Sequence, residues 1–498
     1  MAFAEQLLLD RRSHVLVRAG PRHWVRLGKK RMIVLQLALM TGMEFLENIM
    51  FVFGSRYTMT GLGVSPRNFA LVQAAYATGS MLMIVAQQRL ARDIGYRHYM
   101  GCAVGLFLVG TLSGAWSDTL AELTVARFLQ GLGGGALFTS SRILVNVLFS
   151  EPERALPRRA LVVSVFLAIT LAPLLASTLL HYFTWRALFY GVVPFALLAF
   201  VGSLTLLPSA EPRGRAQHGI VPFLLFAAAV IAMQCTVSQL RFDLFAHPVR
   251  LTLTTLFGTL ALVGFLVHQW HDDTPWVRLK PLGNRAYLAG LGSYFLYYLL
   301  ATYWGYLFPI FSEKALGFSV QSTGALSAFS GLVSLVAVLV YLRVAEDVEH
   351  KKPLMVAGAL SLSFAALWFA QMSPHASTLD VLIGQSAKGL FGVLLAIPIA
   401  AVTFRELREE HLAHGYQTKN LLRQLSISWS SALAAVLLDN REVAVKDGLS
   451  QGLGQESGAL AGVLEQRALI SATQDLFLLL GALALFTALV LLLQRRLP

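Results

Sequence analysis

The chain has 498 residues, of which 56% are apolar and only 13% charged, and its mean hydropathy is +0.62. A soluble domain carries charge at about a quarter of its positions, so a soluble enzyme, a disordered protein and a fibrous repeat are excluded; two cysteines, Cys102 and Cys235, rule out a disulfide scaffold or a cysteine zinc site. The net charge of +13, from 31 Arg and 9 Lys against 27 acids, fits nucleic acid, anionic lipid or membrane topology, and its distribution along the chain decides among them.

A helix needs about 20 mostly apolar residues to cross the roughly 30 Å hydrocarbon core of a bilayer. After a basic tail, Met1 to Arg31, fourteen such runs are predicted, near 32–54, 68–87, 99–117, 120–148, 160–182, 187–207, 219–239, 251–269, 286–311, 325–342, 353–372, 379–402, 421–439 and 469–493. The tail is too polar and too long for the charged region of a cleavable signal, so span 1 is expected to stay attached. No stretch remains for a separate soluble domain. The predicted class is an all-α integral membrane protein with 14 transmembrane helices. Lys and Arg accumulate in short cytoplasmic loops. With the N-terminus inside, the inner segments hold 27 of them and the outer segments 9, and the runs hold the last four: Arg127, Arg142, Lys388 and Arg423. Both termini are therefore expected in the cytoplasm, and the positive charge reads as a topology label rather than a nucleic-acid site.

Span 1 carries Glu44 and Glu47 in mid-run, three apart and so on one helix face. A charge at the membrane centre costs about 2.5–3.5 kcal/mol on insertion scales, and burial and like-charge crowding both disfavour an ionised carboxylate. Such a group is neutral when sealed from water and ionised when open to it, which is the chemistry of a proton carrier. The alternative is a fixed ion pair with Arg127 of span 4 that only holds helices in register. Either Glu can be the titrating group, Glu44 being favoured slightly for its depth. Arg127 cannot lose its charge, so it is either a counter-charge that a protonating Glu releases or a side chain snorkelling to the headgroups. Gly131, Gly133, Gly134 and Gly135 behind it admit a neighbouring helix. Arg142 is close enough to the inner surface to snorkel and is read as structural.

Gln73 and Tyr76 on span 2, Gln130 on span 4, Tyr294, Tyr297 and Tyr298 on span 9, and Gln385 and Lys388 on span 12 are polar groups at membrane depth. They are the candidate lining of a substrate cavity, although core packing explains the tyrosines equally well. Further along span 9, Tyr303, Trp304 and Tyr306 read as an interfacial belt. Lys388 either neutralises Glu44 or Glu47 or repels cationic cargo. Pro173 in span 5 sits among small residues and reads as a bend. Arg92, Asp93 and Arg97 form a charged loop after span 2. The 440–468 segment is read as a Gly-rich outer loop with an apolar stripe, Leu460, Val463 and Leu464. No phosphate-binding Gly loop followed by Lys-Ser/Thr occurs and no histidine pair has metal-ligand spacing within a span, so neither ATP drive, nor a cofactor, nor a metal is expected.

An internal repeat follows from the spans. Span 4 reads Arg127-Phe128-Leu129-Gln130-Gly131-Leu132-Gly133-Gly134, and 258 residues later span 12 reads Gln385-Ser386-Ala387-Lys388-Gly389-Leu390-Phe391-Gly392. The loop Leu90-Ala91-Arg92-Asp93-Ile94-Gly95 is echoed by Val344-Ala345-Glu346-Asp347-Val348-Glu349. The domains are therefore predicted as a basic tail, 1–31, a six-helix half, 32–207, a linker with two inserted helices, 208–285, and a second six-helix half, 286–498. Secondary transporters commonly place a site between such halves.

These motifs, in this order, resemble the major facilitator superfamily and specifically its fourteen-span drug:proton antiporter branch. Gln88-Arg89-Leu90-Ala91-Arg92-Asp93-Ile94-Gly95-Tyr96-Arg97 is similar to the signature between spans 2 and 3, with Gln88 for the usual Gly and Arg92-Asp93 in reversed order. Arg127, Gln130, Gly131 and Gly133 are similar to the span 4 motif, whose Arg the family associates with proton coupling. Ala172-Pro173-Leu174-Leu175-Ala176-Ser177 takes the place of the antiporters' Gly-Pro-rich span 5 motif without its glycines. Thr184-Trp185-Arg186 fits the turn into span 6, and Glu44-Phe45-Leu46-Glu47-Asn48 replaces the acid-bearing segment of span 1. The resemblance implies a proton-coupled exporter of amphipathic small molecules in the bacterial cytoplasmic (inner) membrane, with Glu44, Glu47 and Arg127 coupling protons and with Arg92, Asp93, Arg97 and Pro173 gating. A periplasmic adaptor and an outer-membrane channel are candidate partners. The alternatives are a dedicated exporter or proton symporter of one metabolite, such as a siderophore or organic acid, or a non-transporting sensor or scaffold.

Overall fold

The computed structural model describes residues 27–209, 219–272, 274–344, 348, 350–453 and 458–494. The tail up to residue 26 and most of the second echo loop, 345–347 and 349, lie outside the described residues, as do the side chains of Leu460 and Val463. Among the described residues there is no strand. Fourteen long helices run in order: α1 (Leu27–Gly61), α2 (Pro66–Ile94), α3 (Tyr96–Ala115), α4 (Leu120–Leu148), α5 (Ala155–Tyr182), α6 (Val193–Leu206, after a helical turn Ala187–Tyr190), α7 (Val221–Asp243), α8 (Pro248–His271), α9 (Arg285–Ile310), α10 (Val320–Val344), α11 (Lys352–Ala370), α12 (Thr378–Thr403), α13 (Glu409–Leu453) and α14 (Gly458–Leu493). Twelve are long and apolar enough to cross a membrane by length and composition. The other two, α4 and α9, are diluted by four glycines and two arginines, and by six tyrosines. Exposed apolar side chains such as Leu253, Phe257 and Leu260 on α8, or Leu485, Phe486 and Leu489 on α14, form the lipid-facing belt. The chain is a multi-pass membrane protein.

Local chemistry starts and stops these helices. Ser65 accepts a hydrogen bond from the Asn68 amide ahead of Pro66, and Gly95, at φ +79°, makes the tight joint between α2 and α3 that a side chain would strain. Thr119 with Glu122 opens α4 as a capping box, and Ser377 with Asp380 opens α12 in the same way. Both boxes stand at the 258-residue spacing of the sequence repeat, so α4 and α12 start alike as well as read alike.

Two apolar cores form. One draws on α1–α6 through Leu37, Met40, Met100, Phe107, Leu137 and Leu144; the other on α9–α14 through Leu300, Tyr303, Phe311, Phe369, Phe391 and Phe477. Within the first, Gly131 and Gly135 of α4 face the backbone of Tyr76 and Ser80 on α2, and Gly133 faces Ala103 and Phe107 on α3. A methyl group at any of these points would meet backbone atoms, so the three helices touch only because the residues are glycine. Between the two cores, α5 lies along α10, with Thr170 against Gly331 and the Pro173 carbonyl and Ser177 against Gly324. Gln417 of α13 donates to the carbonyls of Ile84 and Val85 on α2 at 2.9 and 3.3 Å. The inserted α7 and α8 cover this second seam through Phe226, Val230 and Phe265 against Met81, Leu82 and Val85.

Three sequence expectations are corrected here. Span 13 does not begin near 421 but at Glu409, and the 440–468 segment is no loop: α13 continues to Leu453 and α14 starts at Gly458. No proline interrupts this stretch, and isolated glycines such as Gly448 weaken a helix by about 1 kcal/mol without ending it. Tyr303 and Trp304 are not an interfacial belt. They are 0% and 2% exposed, and Trp304 meets Phe369 and Phe477 edge-on in the second core.

Candidate functional site at the centre of the bundle

The two acids of α1 are buried and each faces a guanidinium. Arg127 of α4 donates to Glu47 through Nη1, and the same nitrogen reaches Gln130 Oε1 at 2.5 Å. Gln130 in turn donates to Thr111 on α3 at 3.0 Å. The guanidinium carbon lies 3.9 Å from the Phe51 ring centre and 4.3 Å from that of Tyr76, so aromatic faces fill the sides that carry no acceptor. Glu44, one turn earlier on α1, pairs with Arg423 of α13 at 2.6 Å. One acid of α1 is therefore tied to a helix of its own core and the other to a helix of the opposite core.

Around Arg423 the centre is cationic and aromatic. Arg423, Lys419 and Arg142 stand 4.9, 4.6 and 4.6 Å from the Phe138 ring centre. Phe138 meets Phe45 edge-on at 5.2 Å. Lys419 Nζ donates to Asn420 Oδ1 at 2.9 Å and lies 5.1 and 5.5 Å from the rings of Tyr294 and Tyr298, which stack on each other. Asn420 donates to Thr139 of α4 at 2.5 Å, and Gln424 to Ser80 of α2 at 2.8 Å. Glu44, Glu47, Arg127, Lys419 and Arg423 are buried, whereas Arg142, Tyr297, Tyr298, Lys388 and Tyr416 keep part of their surface open. Buried charges along one polar stripe, ringed by aromatics at membrane depth, suit a group that binds and releases charge.

The sequence profile of the Major Facilitator Superfamily matches residues 33–431. The chain belongs to the major facilitator superfamily. Members of this superfamily are transporters, and this chain is a transporter by family and fold rather than an enzyme. It is 24% identical over 377 residues to a putative multidrug resistance protein, MdtD, of Citrobacter koseri, a match covering 76% of this chain and 79% of that one. Among solved structures, the human organic anion transporter MFSD10 aligns with a TM-score of 0.57 at 16% identity, over 91% of this chain and 99% of that one. The xylose transporter XylE of E. coli, in a partially occluded inward-open state, aligns at 0.58 and 13%, over 92% and 96%. At such identities the two structures speak for the major facilitator fold alone.

Within this superfamily framework the expected residues separate into groups. Glu44, Glu47, Arg127, Gln130 and Tyr76 come together, with Tyr294 and Tyr298 beside them. Tyr297 packs on Phe391 at 5.3 Å. Gln385 is buried with both amide atoms unpartnered, while Gln73 is partly buried on α2 and joins none of these hydrogen bonds. Lys388 is not the partner of either acid; those partners are Arg423 and Arg127. Arg142 does not snorkel away, because it turns inward over Phe138 and lies 5.9 Å from the Tyr416 ring. Arg92 and Asp93 fall in the last turn of α2 rather than in a loop, 3.9 Å apart, and Arg97 donates to Ser209 at 2.9 Å. Pro173 is buried at the α5–α10 seam.

Lys419, Asn420 and Gln424 are site residues that the apolar-run pattern does not flag, and Arg423 gains its role only through its partner Glu44. Lys419 precedes the apolar run that starts at 421, and so reads by sequence as an inner-loop charge. The signal was present in another form: Gln417, Asn420, Arg423 and Gln424 recur at three- to four-residue spacing, which marks a helix whose polar face turns inward.

Proposed function

We propose that this chain is a proton-coupled secondary transporter that exports amphipathic small molecules across the cytoplasmic membrane by alternating access. In this reading, α1–α6 and α9–α14 are two halves that rock about the α5–α10 and α2–α13 seams, both termini are cytoplasmic, and Glu44 or Glu47 carries the proton. The Glu44–Arg423 pair carries the proposal. A proton on Glu44 removes the charge that holds Arg423, so protonation loosens a contact between the halves. Glu47–Arg127, contained in one half, would tune the first acid without crossing the seam. The likeness to a putative multidrug resistance protein of Citrobacter koseri supports export of drug-like molecules. In a double-envelope cell the end of α13 and the start of α14 are where a periplasmic adaptor leading to an outer-membrane channel would meet the protein. A second reading, a proton symporter of an organic acid, is favoured by the surplus of cations around Phe138.

Purified protein in vesicles with an imposed pH gradient tests the proposal. Substrate-dependent collapse of the gradient is expected for the wild type and is expected to disappear in Glu44→Gln. If Glu44→Gln, Glu47→Gln and the double variant all keep proton-coupled flux, the assignment of the proton site fails.

A further inference from the structure

The fixed charges at the bundle centre do not balance. Three arginines, Arg127, Arg142 and Arg423, stand against two acids, Glu44 and Glu47, and arginine stays protonated in proteins. The remainder is +1 even with both acids ionised and with Lys419 and Lys388 neutral; each proton taken up by any of these four groups adds one more. The charged groups close enough to act on Lys419 are Arg142, Arg423 and Glu44. Glu44 is already spent on Arg423, and Arg142 has no carboxylate partner among the described residues. Lys388 has none either. It lies one turn before Gly392, which faces Tyr297 of α9 and Phe166 of α5, so it points to the same interior side. The Phe138 ring attracts each cation, but three of them within 4.9 Å of one ring centre repel one another.

We infer that the cargo is an amphipathic organic anion, a flat aromatic acid, that meets Arg142 and Lys419 with its charged group and lays its rings against Tyr298 and Phe45. It supplies the negative charge that the protein lacks at this depth. The partly open rings of Phe45, Tyr297, Tyr298 and Tyr416 offer flat apolar contact, and Thr139 and Asn420 add polar groups beside the cations. This rests on the second reading above, the proton symporter of an organic acid, and fixes the sense of its coupling as co-directional rather than exchange. A proton on Glu44 and an anion beside Arg423 offset one another's charge, so each favours the other and the two occupy the site together. The groups that face Glu44 and set this linkage are Arg423 and Lys419 on α13, Glu47 on α1, Tyr76 on α2 and Tyr298 on α9; Arg127 on α4 acts through Glu47.

The test uses two permanently charged probes on one ring system, naphthalene-2-sulfonate and trimethyl-(2-naphthyl)ammonium, with the full chain in detergent and chloride-free gluconate buffer. The sulfonate is expected to bind and to raise the melting temperature, more so as pH falls, and the ammonium to do neither. Arg142→Gln is expected to weaken sulfonate binding at least about tenfold, the scale of one charge-assisted contact, and Arg142→Lys to retain it. Glu44→Gln, which mimics the protonated acid, is expected to bind the sulfonate at least as tightly as wild type and with a smaller pH dependence. The inference is overturned if the ammonium binds as well as the sulfonate, if neither binds, if chloride alone gives the same shift, or if Arg142→Gln leaves the preference unchanged. Vesicle flux separates the two claims. Sulfonate binding with no flux would sink the transporter reading and leave the anion site standing; exchange of the ammonium for protons would do the reverse.

Discussion

Arg423 on α13 and Glu44 on α1 are 379 positions apart in sequence and 2.6 Å apart in space. Both are buried, on helices that feed different apolar cores, α1 through Leu37 and Met40 and α13 through Ala434 and Leu438. An ion pair in that position is a joint whose strength depends on one proton.

The first prediction concerns that joint. Arg423→Gln and Glu44→Gln are each expected to abolish proton-driven flux while leaving a folded protein, since Gln keeps a hydrogen-bonding amide at either place. Exchange of substrate across vesicles without a proton gradient separates coupling from binding. Unchanged coupling in both variants would show that the pair only fastens helices.

Arg127→Met should behave differently, because its pair lies inside one core. Removing one partner of a buried pair costs about 3–5 kcal/mol, which leaves Glu47 charged and alone. The loss is expected at neutral pH and to shrink in acid, where Glu47 takes a proton and needs no partner. Melting temperatures of Arg127→Met and wild type at both pH values measure this, and Arg127→Met with Glu47→Leu should remove the pH dependence.

Glycine substitutions give a paired test of the close contacts. Gly135→Ala places a methyl against the Ser80 backbone, and overpacking of this kind costs about 1–3 kcal/mol. Gly292→Ala on α9 meets nothing within 4 Å, so the better helix propensity of Ala is expected to stabilise it by up to about 1 kcal/mol. Opposite shifts in melting temperature are the expected result; a neutral Gly135→Ala would mean that α2 and α4 can separate freely.

The two faces carry separate fasteners between the halves. Arg154 pairs with Glu409 at 2.5 Å on the face where α1 begins, while Tyr57 donates to Glu313 at 3.1 Å, with Arg56 at 3.7 Å, on the other. With Cys102 and Cys235 first replaced by Ser, spin labels at Arg158 and Arg343 report on one face, and labels at Tyr182 and Ser319 on the other. Arg154→Ala is expected to lengthen the first distance and Glu313→Gln the second. Partly exposed pairs contribute about 0.2–1 kcal/mol, so population changes of up to about fivefold are expected.

Much of the architecture was legible because lipid imposes a strict rule: a crossing segment must be helical and apolar along about 20 residues. Spans 4 and 12 fall within one residue of their helices at each end, and the repeat between 127–134 and 385–392 reappears as matched capping boxes. The same rule explains the failures. Lys419 and Asn420 fell outside an apolar window because their polarity is turned inward, and a window average does not see which face is polar. Tyr303 and Trp304 were misplaced because aromatic residues suit a lipid boundary and a packed core alike. The acids Glu44 and Glu47 could be located from sequence, but their partners could not. Arg423 is 379 residues from Glu44, and composition alone does not bring such positions together.

The length of α13 turns a small event at the centre into a large one outside. Its 45 residues form a single rod, and Leu453 is 34 residues beyond Lys419, roughly 51 Å at 1.5 Å per residue. Pivoting this rod by about 10° at Lys419 sweeps its tip by about 9 Å by the same geometry. In the proposed cycle, a small rotation set off by one charge at the pivot would be magnified several-fold at the remote end of α13.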